Sequence, residues 1–273
     1  MGKPLKHKAR KRFGQNFLHD QNIIERIINS IAPGSDHHIV EIGPGKGALT
    51  EHLINAVGKL DVIELDRDLI PILEARFSGC EHFTIHNTDA LKFDFSTLLA
   101  SEKQEKLRLV GNLPYNISTP LIFHLLDNVS IIEDMHFMLQ KEVVERLTAS
   151  PGTKLYGRLS ILVQYLCQAE KLFIVPPGAF TPAPKVDSAI VQLTPRTHIK
   201  EEIKLQNATL ADLAFIAKSA FSQRRKTLRN NLKKILTDDQ FAQCNIDPGR
   251  RAETLSINEF VTLTNQYAQL HVS

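Results

Sequence analysis

A strand that runs directly into a glycine turn constrains this chain more than any other feature. His38-Ile39-Val40-Glu41-Ile42 reads as a buried strand, Gly43-Pro44-Gly45-Lys46-Gly47-Ala48 follows at once, and Leu49, Leu53, Ile54 and Val57 then recur at helical spacing. Glycines at alternate positions let a backbone approach a ligand closely, because no Cβ stands in the way. The next strand, Leu60-Asp61-Val62-Ile63-Glu64, ends in a carboxylate 21 residues after Gly43. At that spacing an acid meets ribose hydroxyls in a Rossmann-like βαβ unit.

The same alternation continues. Asp20 is placed to cap a helix over 21–31, whose isoleucines form one stripe. Further strands read at 82–86, 107–110, 135–139, 171–175 and 187–193, with helices starting at Thr119-Pro120 and over 158–168. The expectation is an α/β fold with a mostly parallel, seven-stranded sheet and helices on both faces. Past Pro195 the pattern is purely helical, at 209–221, 224–236 and 256–266, the last opened by a Ser256-x-x-Glu259 capping box. We therefore expect two domains: 1–200, α/β with a basic N-terminal arm, and 201–273, smaller and all-helical.

The glycine turn alone does not name its ligand. Gly43-x-Gly45-x-x-Ala48 also satisfies the dinucleotide fingerprint of nicotinamide enzymes. Three features favour S-adenosylmethionine. Glu41 precedes the turn, where a carboxylate suits an ammonium or sulfonium and would sit badly beside a pyrophosphate. Lys46 and Gly47 make a third close approach rather than a clean helix start. Thr88-Asp89-Ala90 follows the third strand and puts another carboxylate where an adenine amine would arrive, although Asp89 could equally cap the segment after it.

The strand at 107–110 ends in Gly111-Asn112-Leu113-Pro114-Tyr115. The exocyclic amine of a nucleobase is a poor nucleophile, its lone pair being delocalised into the ring. An acceptor such as the Asn112 amide oxygen, or the carbonyl preceding Pro114, can bond the amine hydrogens and steer the lone pair, while Tyr115 stacks on an unstacked base. Taken alone, the same residues make a strand-to-helix turn with one packed tyrosine. The proline-stiffened loop at 175–185 presents Phe180. Phe180 and Tyr115 could flank a slot for a flat ring, or Phe180 could plug the edge of the core.

Charge adds a partner. Six basic residues and no acids lie in 1–19, including Arg10, Lys11 and Arg12, and seven lie between Asp212 and Asp238, including Arg224, Arg225, Lys226 and Arg229. With these thirteen set aside, 20 basic side chains face 30 acidic ones, so an acidic body carries two basic blocks that suit a polyanion. The second block also fits a solvated helix face. Three cysteines lie far apart and no histidine pattern has metal-ligand spacing, so a reducing compartment and no metal are expected. No apolar run approaches 18 residues and the basic N-terminus has no apolar core, so neither a membrane span nor a secretory signal is expected.

The ordered set of motifs resembles the small-subunit (16S) ribosomal RNA adenine N6,N6-dimethyltransferase family over nearly the whole chain. Arg10-Lys11-Arg12-Phe13-Gly14-Gln15-Asn16-Phe17-Leu18, Glu41-Ile42-Gly43-Pro44-Gly45 and Asn112-Leu113-Pro114-Tyr115-Asn116-Ile117-Ser118 carry it. So do Phe137-Met138-Leu139-Gln140-Lys141-Glu142-Val143, Tyr156-Gly157-Arg158-Leu159-Ser160, Phe180-Thr181-Pro182, Pro184-Lys185-Val186-Asp187-Ser188 and Phe221-Ser222-Gln223-Arg224-Arg225-Lys226. The resemblance implies a class I methyltransferase domain with S-adenosylmethionine as donor and no metal. It implies two adjacent adenines in the 3′-terminal hairpin of small-subunit RNA as targets, within the assembling 30S particle of the cytoplasm, each dimethylated at N6; nothing in the sequence suggests an obligate oligomer, so a monomer is expected.

Carried over residue by residue, Asn16 and Leu18, with Gln15, would close over the donor's methionine end and Gly43 would lie against it, flanked by Glu41 and Gly45. Glu64 would hold the ribose, Asp89 with Ala90 the adenine, and Asn112 the region beside the sulfonium. Asn112 with the Leu113 and Pro114 carbonyls would orient the target amine, and Tyr115 and Phe180 would stack on the base. Arg10, Lys11, Arg12, Arg224, Arg225, Lys226 and Arg229 would contact RNA. Three rivals remain at this level: a large-subunit rRNA dimethyltransferase conferring antibiotic resistance, a nicotinamide oxidoreductase, and a non-catalytic assembly factor.

Overall fold

The computed structural model describes residues 15–99, 106–196, 199 and 204–269. In chain order the elements are β1 (Phe17–Leu18), α1 (Gln21–Ile31), β2 (His38–Ile42), α2 (Thr50–Leu53), β3 (Lys59–Ile63), α3 (Ile70–Phe77) and β4 (Phe83–His86). Then come β5 (Leu107–Asn112), α4 (Ser118–Leu126), β6 (Ile132–Gln140), α5 (Lys141–Leu147), α6 (Arg158–Leu166), β7 (Cys167–Val175), β8 (Phe180–Thr181) and β9 (Ser188–Pro195). The chain ends in α7 (Leu210–Ala220), α8 (Leu228–Leu232), α9 (Asp238–Gln243) and α10 (Ile257–Gln269).

Seven strands form one sheet in the order β4-β3-β2-β5-β6-β9-β7. The pairs β2–β3, β3–β4, β2–β5 and β5–β6 are parallel, and β6–β9 is antiparallel. Both faces are covered, which is why β2 is buried at all five positions. One face packs Ile39, Leu60, Val62, Val110, Met138 and Ile190 against Ile24, Ile27 and Ile31 of α1 and Leu53 and Leu73 of α2 and α3. The alternate residues Val40, Ile42, Ile63, Leu109 and Leu139 are buried as well. Asp20 caps α1 as expected, its carboxylate accepting from the Ile23 N–H at 3.2 Å.

The strand order reverses between β2 and β5, because β3 and β4 lie on one side of β2 and β5 on the other. A crevice opens at such a switch point, beyond the carboxyl ends of the strands. The two strands approach there with no room to spare: a Cβ on Gly111 would lie 2.4 Å from the Ile42 carbonyl oxygen.

The chain divides into two compact units, one of 1–144 with 170–195, the other of 145–169 with 196–273. The second unit thus takes a segment that the linear reading left with 1–200. The apolar side of α6, with Leu159, Ile161, Leu162 and Val163 all buried, packs against α7 and α10. A capping box at Thr209/Asp212 starts α7, and the expected one at Ser256/Glu259 starts α10.

Three local expectations shift. Gly47 has φ +85°, so regular helix begins only at Thr50 and α2 is short. Pro120 sits at the third position of α4, not the first, where its missing N–H is still one of the four without an intrahelical partner. The helix expected over 224–236 is confined to Leu228–Leu232. Asn231 Nδ2 donates to the Ala220 carbonyl at 2.6 Å and the Gln223 carbonyl at 3.1 Å, which holds 224–226 in a turn.

Candidate active site

The crevice at the switch point is a cleft enclosing about 1160 Å³ with its open mouth. Gln15, Asn16, Leu18, Glu41, Gly43, Gly45, Glu64, Asp89, Ala90 and Asn112 all line it, as do Leu113, Pro114 and Tyr115. Five separate stretches of sequence therefore converge on one cleft.

The turn after β2 forms the floor. Gly43 and Gly45 have φ of +69° and +60°, a region that disfavours side chains, and the Gly43 N–H donates to the Ile63 carbonyl at 2.9 Å. Backbone is thereby presented bare to a ligand. Three carboxylates stand around it. Glu41, 2% exposed, accepts from the Thr50 hydroxyl at 2.6 Å. Burial pushes Glu41 up to about 7 despite that bond, and the nearby Glu64 adds to the rise. Glu64 accepts from the Asp66 N–H at 2.7 Å and the Gly45 N–H at 3.3 Å, yet burial also raises it to about 7. Asp89 accepts from the Leu91 N–H at 3.0 Å, so it caps the following segment while lining the cleft.

The segment Gln15–Leu18 crosses the cleft as a strap. Gln15 Nε2 donates to Asp66 at 2.8 Å, after β3, and the Asn16 carbonyl accepts from Asn112 Nδ2 at 3.0 Å, at the end of β5. Lys46 Nζ lies 4.6 Å from the centre of the Phe17 ring. Beyond it, β1 pairs antiparallel with β8, placing Leu18 opposite Phe180. Neither the Phe17 ring nor the strap's anchors at Asp66 and β8 were legible in sequence, because no local pattern marks them.

On the other side, the Leu113 N–H donates to the Met138 carbonyl at 3.1 Å, and the Pro114 carbonyl accepts from the Ile117 N–H at 3.1 Å. The Pro114 oxygen thus accepts one bond within its own turn and keeps its second lone pair. Tyr115 is half-buried, with its hydroxyl 3.2 Å from Ser188 Oγ. Phe180 departs from its expected place. It is 4% exposed, packs with Leu18, Val175, Ala179 and Ile190, and does not line the cleft. Pairing of β8 with β1 turns its ring into the core, so among the described residues the aromatic side chains that line the cleft are Tyr115 and, on the strap, Phe17. Leu65, 49% exposed, is a lining residue that the sequence did not single out.

Of the basic residues, Arg10, Lys11 and Arg12 lie outside the described residues. Arg224, Arg225, Lys226 and Arg229 are all exposed in the helical unit, on a turn and on α8 rather than on one basic helix. Carboxylates from elsewhere in that unit reach two of them: Glu253 lies 3.5 Å from Arg224 and Asp238 2.9 Å from Arg229. Among the described residues no cluster of three or more His, Cys, Asp or Glu is arranged to hold a metal, and no helix is long and apolar enough to cross a membrane.

Comparison with known proteins bears on the whole chain. The sequence model of the ribosomal RNA adenine dimethylase family matches residues 6–269. Ribosomal RNA small subunit methyltransferase A of Marinomonas sp. (strain MWYL1) is 56% identical over 268 residues, covering 97% of each chain. A dimethyladenosine transferase from Plasmodium falciparum has a similar structure, with a TM-score of 0.75 and 28% identity over 90% of this chain and 95% of that one. The 23S rRNA methyltransferase ErmE shares the fold, with a TM-score of 0.69 and 23% identity over 92% of this chain and 99% of its own.

Proposed function

The chain belongs to the ribosomal RNA adenine dimethylase family and is an rRNA adenine dimethyltransferase with a Rossmann-like methyltransferase fold; from that premise we propose how the cleft works and on which RNA. The donor is S-adenosylmethionine, which when bound supplies a methyl group on a positively charged sulfur. The substrates are the N6 amines of two adjacent adenines in the 3′-terminal hairpin of small-subunit RNA, within the assembling 30S particle. Similarity to a small-subunit methyltransferase at 56% identity supports this branch.

One observation carries the reading: Asn112-Leu113-Pro114-Tyr115 and the glycine turn line a single cleft, and the Asn112–Asn16 bond ties the first of them to the strap across it. The residues present fit the donor. Gly43 and Gly45 bare the backbone, Glu41 offers a negative group to an ammonium or sulfonium, Glu64 an acceptor for ribose hydroxyls and Asp89 an acceptor for the adenine amine. Gln15, Asn16 and Leu18 cover the methionine end.

Asn112 donates through Nδ2 to the strap, which leaves Oδ1 to accept a hydrogen of the target amine. The Leu113 carbonyl and the second lone pair of the Pro114 carbonyl are the further acceptors for that amine. Two acceptors on the amine hydrogens turn the nitrogen lone pair toward the methyl carbon, and Tyr115 holds the ring plane. Rate comes from positioning and from a site built for the charge. The amine's proton leaves to water after transfer. The exposed basic residues of the helical unit hold RNA backbone.

The test is transfer of tritium from labelled S-adenosylmethionine into unmethylated small subunits, with the product mapped and Asn112→Ala as control. N6,N6-dimethyladenosine in the 3′-terminal hairpin, lost in the variant, is the expected result. Label confined to large-subunit RNA, or donor binding without transfer, would defeat it.

A further inference from the structure

The stretch Pro184-Lys185-Val186-Asp187-Ser188 belongs to the loop after β8, and none of the chemistry above uses it. Its last residue opens β9, the strand that runs antiparallel to β6, with Ser188 opposite Gln140. The beginning of an antiparallel strand lies at the sheet edge where parallel strands end. Ser188 is therefore delivered to the mouth of β5 and β6 by sheet geometry rather than by a flexible loop. It is 1% exposed, and the residue before it is anchored, the Asp187 carbonyl accepting from the Lys141 N–H at 3.0 Å.

From that position the Ser188 hydroxyl lies 3.2 Å from the Tyr115 hydroxyl. The tyrosine is also held at its other end, where its carbonyl accepts from Ser118 Oγ at 3.2 Å. We propose that Ser188 is the positioning residue for Tyr115, its hydroxyl fixing where the phenol end, and with it the ring on which the target base stacks, stands at the cleft. The inference rests on the reading of Tyr115 as the stacking face. A phenol free to swing would have to be immobilised each time a base enters, whereas one whose hydroxyl is already bonded, on a residue whose main-chain carbonyl is also held, is ordered beforehand.

The test uses the full chain with unmethylated small subunits and compares Ser188→Ala, Ser188→Thr, Tyr115→Phe and the double variant Ser188→Ala/Tyr115→Phe. Donor affinity is measured in parallel by titration. Ser188→Ala and Tyr115→Phe should each lower kcat/KM for the particle about tenfold while donor Kd stays within about twofold. The double variant should be no worse than Tyr115→Phe, because both changes break one bond. Ser188→Thr, which keeps the hydroxyl, should recover most of the loss.

Wild-type kinetics in Ser188→Ala, additive losses in the double variant, or an equal fall in donor affinity would each overturn the proposal. If the unaltered protein methylates no small-subunit RNA, the functional reading fails first and takes this inference with it. An active protein indifferent to Ser188→Ala removes the inference alone.

Discussion

The Asn112 side chain donates through Nδ2 to the backbone carbonyl of Asn16 at 3.0 Å, which ties the end of β5 to the strap across the cleft. One bond thus sets which end of the amide faces the strap and leaves the other end to the cleft. In the proposed mechanism, donor closure and base orientation therefore share a residue.

Asn112→Ala removes both interactions. We expect kcat to fall about 10²- to 10³-fold, the scale of removing one preorganised polar group at a reacting centre. Donor affinity should fall less, since on that side only the hydrogen bond to the strap is broken. Single-turnover methylation beside calorimetric donor binding separates the two, and an unchanged kcat would remove Asn112 from the chemistry.

Glu41 gives a stability prediction with a definite sign. Its carboxyl stands at about 7 in the folded chain against 4.5 unfolded. The folded state therefore holds the proton more tightly, and ionising the group costs stability. The penalty is absent below pH 4.5, grows between pH 4.5 and 7, and is complete above, at about 3 kcal/mol. Glu41→Gln keeps an acceptor for Thr50 without the charge. It should raise the melting temperature of the donor-free protein at pH 8 and leave it unchanged near pH 4, while weakening donor binding. A variant less stable than the parent at pH 8 would contradict this.

Gly111→Ala should fail structurally. Its Cβ would meet the Ile42 carbonyl oxygen at 2.4 Å, and backbone at the centre of a sheet cannot step aside. A loss of about 3 kcal/mol or more is expected in urea unfolding, with donor binding lost in step, because the same two strands carry the glycine turn and Asn112. Near-native stability would show that β2 and β5 separate more easily than their packing implies.

Phe180 is assigned to the core, and two substitutions test that. Phe180→Ala should cost about 3–5 kcal/mol, while Phe180→Leu should cost under about 1.5 kcal/mol and keep most activity on RNA. If Phe180→Leu is stable yet loses activity a hundredfold, the ring leaves the core during the reaction and stacks on the base.

Arg225 and Lys226 carry the electrostatic prediction. Replacing both with glutamine should make log affinity for the ribosomal particle fall less steeply with log salt, by about one unit of slope for each phosphate no longer neutralised. Donor affinity should not move. A salt slope equal to the parent's would show that this turn does not meet RNA backbone.

The glycine turn, the carboxylate 21 residues beyond it, the seven strands, both ends of α1 and the start of α10 were legible in sequence. Each is written in neighbouring residues: alternating burial, a cap three positions from its partner, a turn that only glycine enters easily. The residues expected at the donor line one cleft because short turns at strand ends have little freedom in where they project. What tertiary structure decided lies in pairings between distant positions. Leu18 pairs with Phe180, and that pairing buries a ring which a stiff loop alone could equally have presented to a base. Glu253 and Asp238 approach Arg224 and Arg229, and Asn231 stops a helix that the basic run would otherwise continue. Ser188 reaches Tyr115 only because β9 runs against β6. Such pairs leave no period in the chain, since the energy that selects them comes from packing the whole sheet rather than from any local segment.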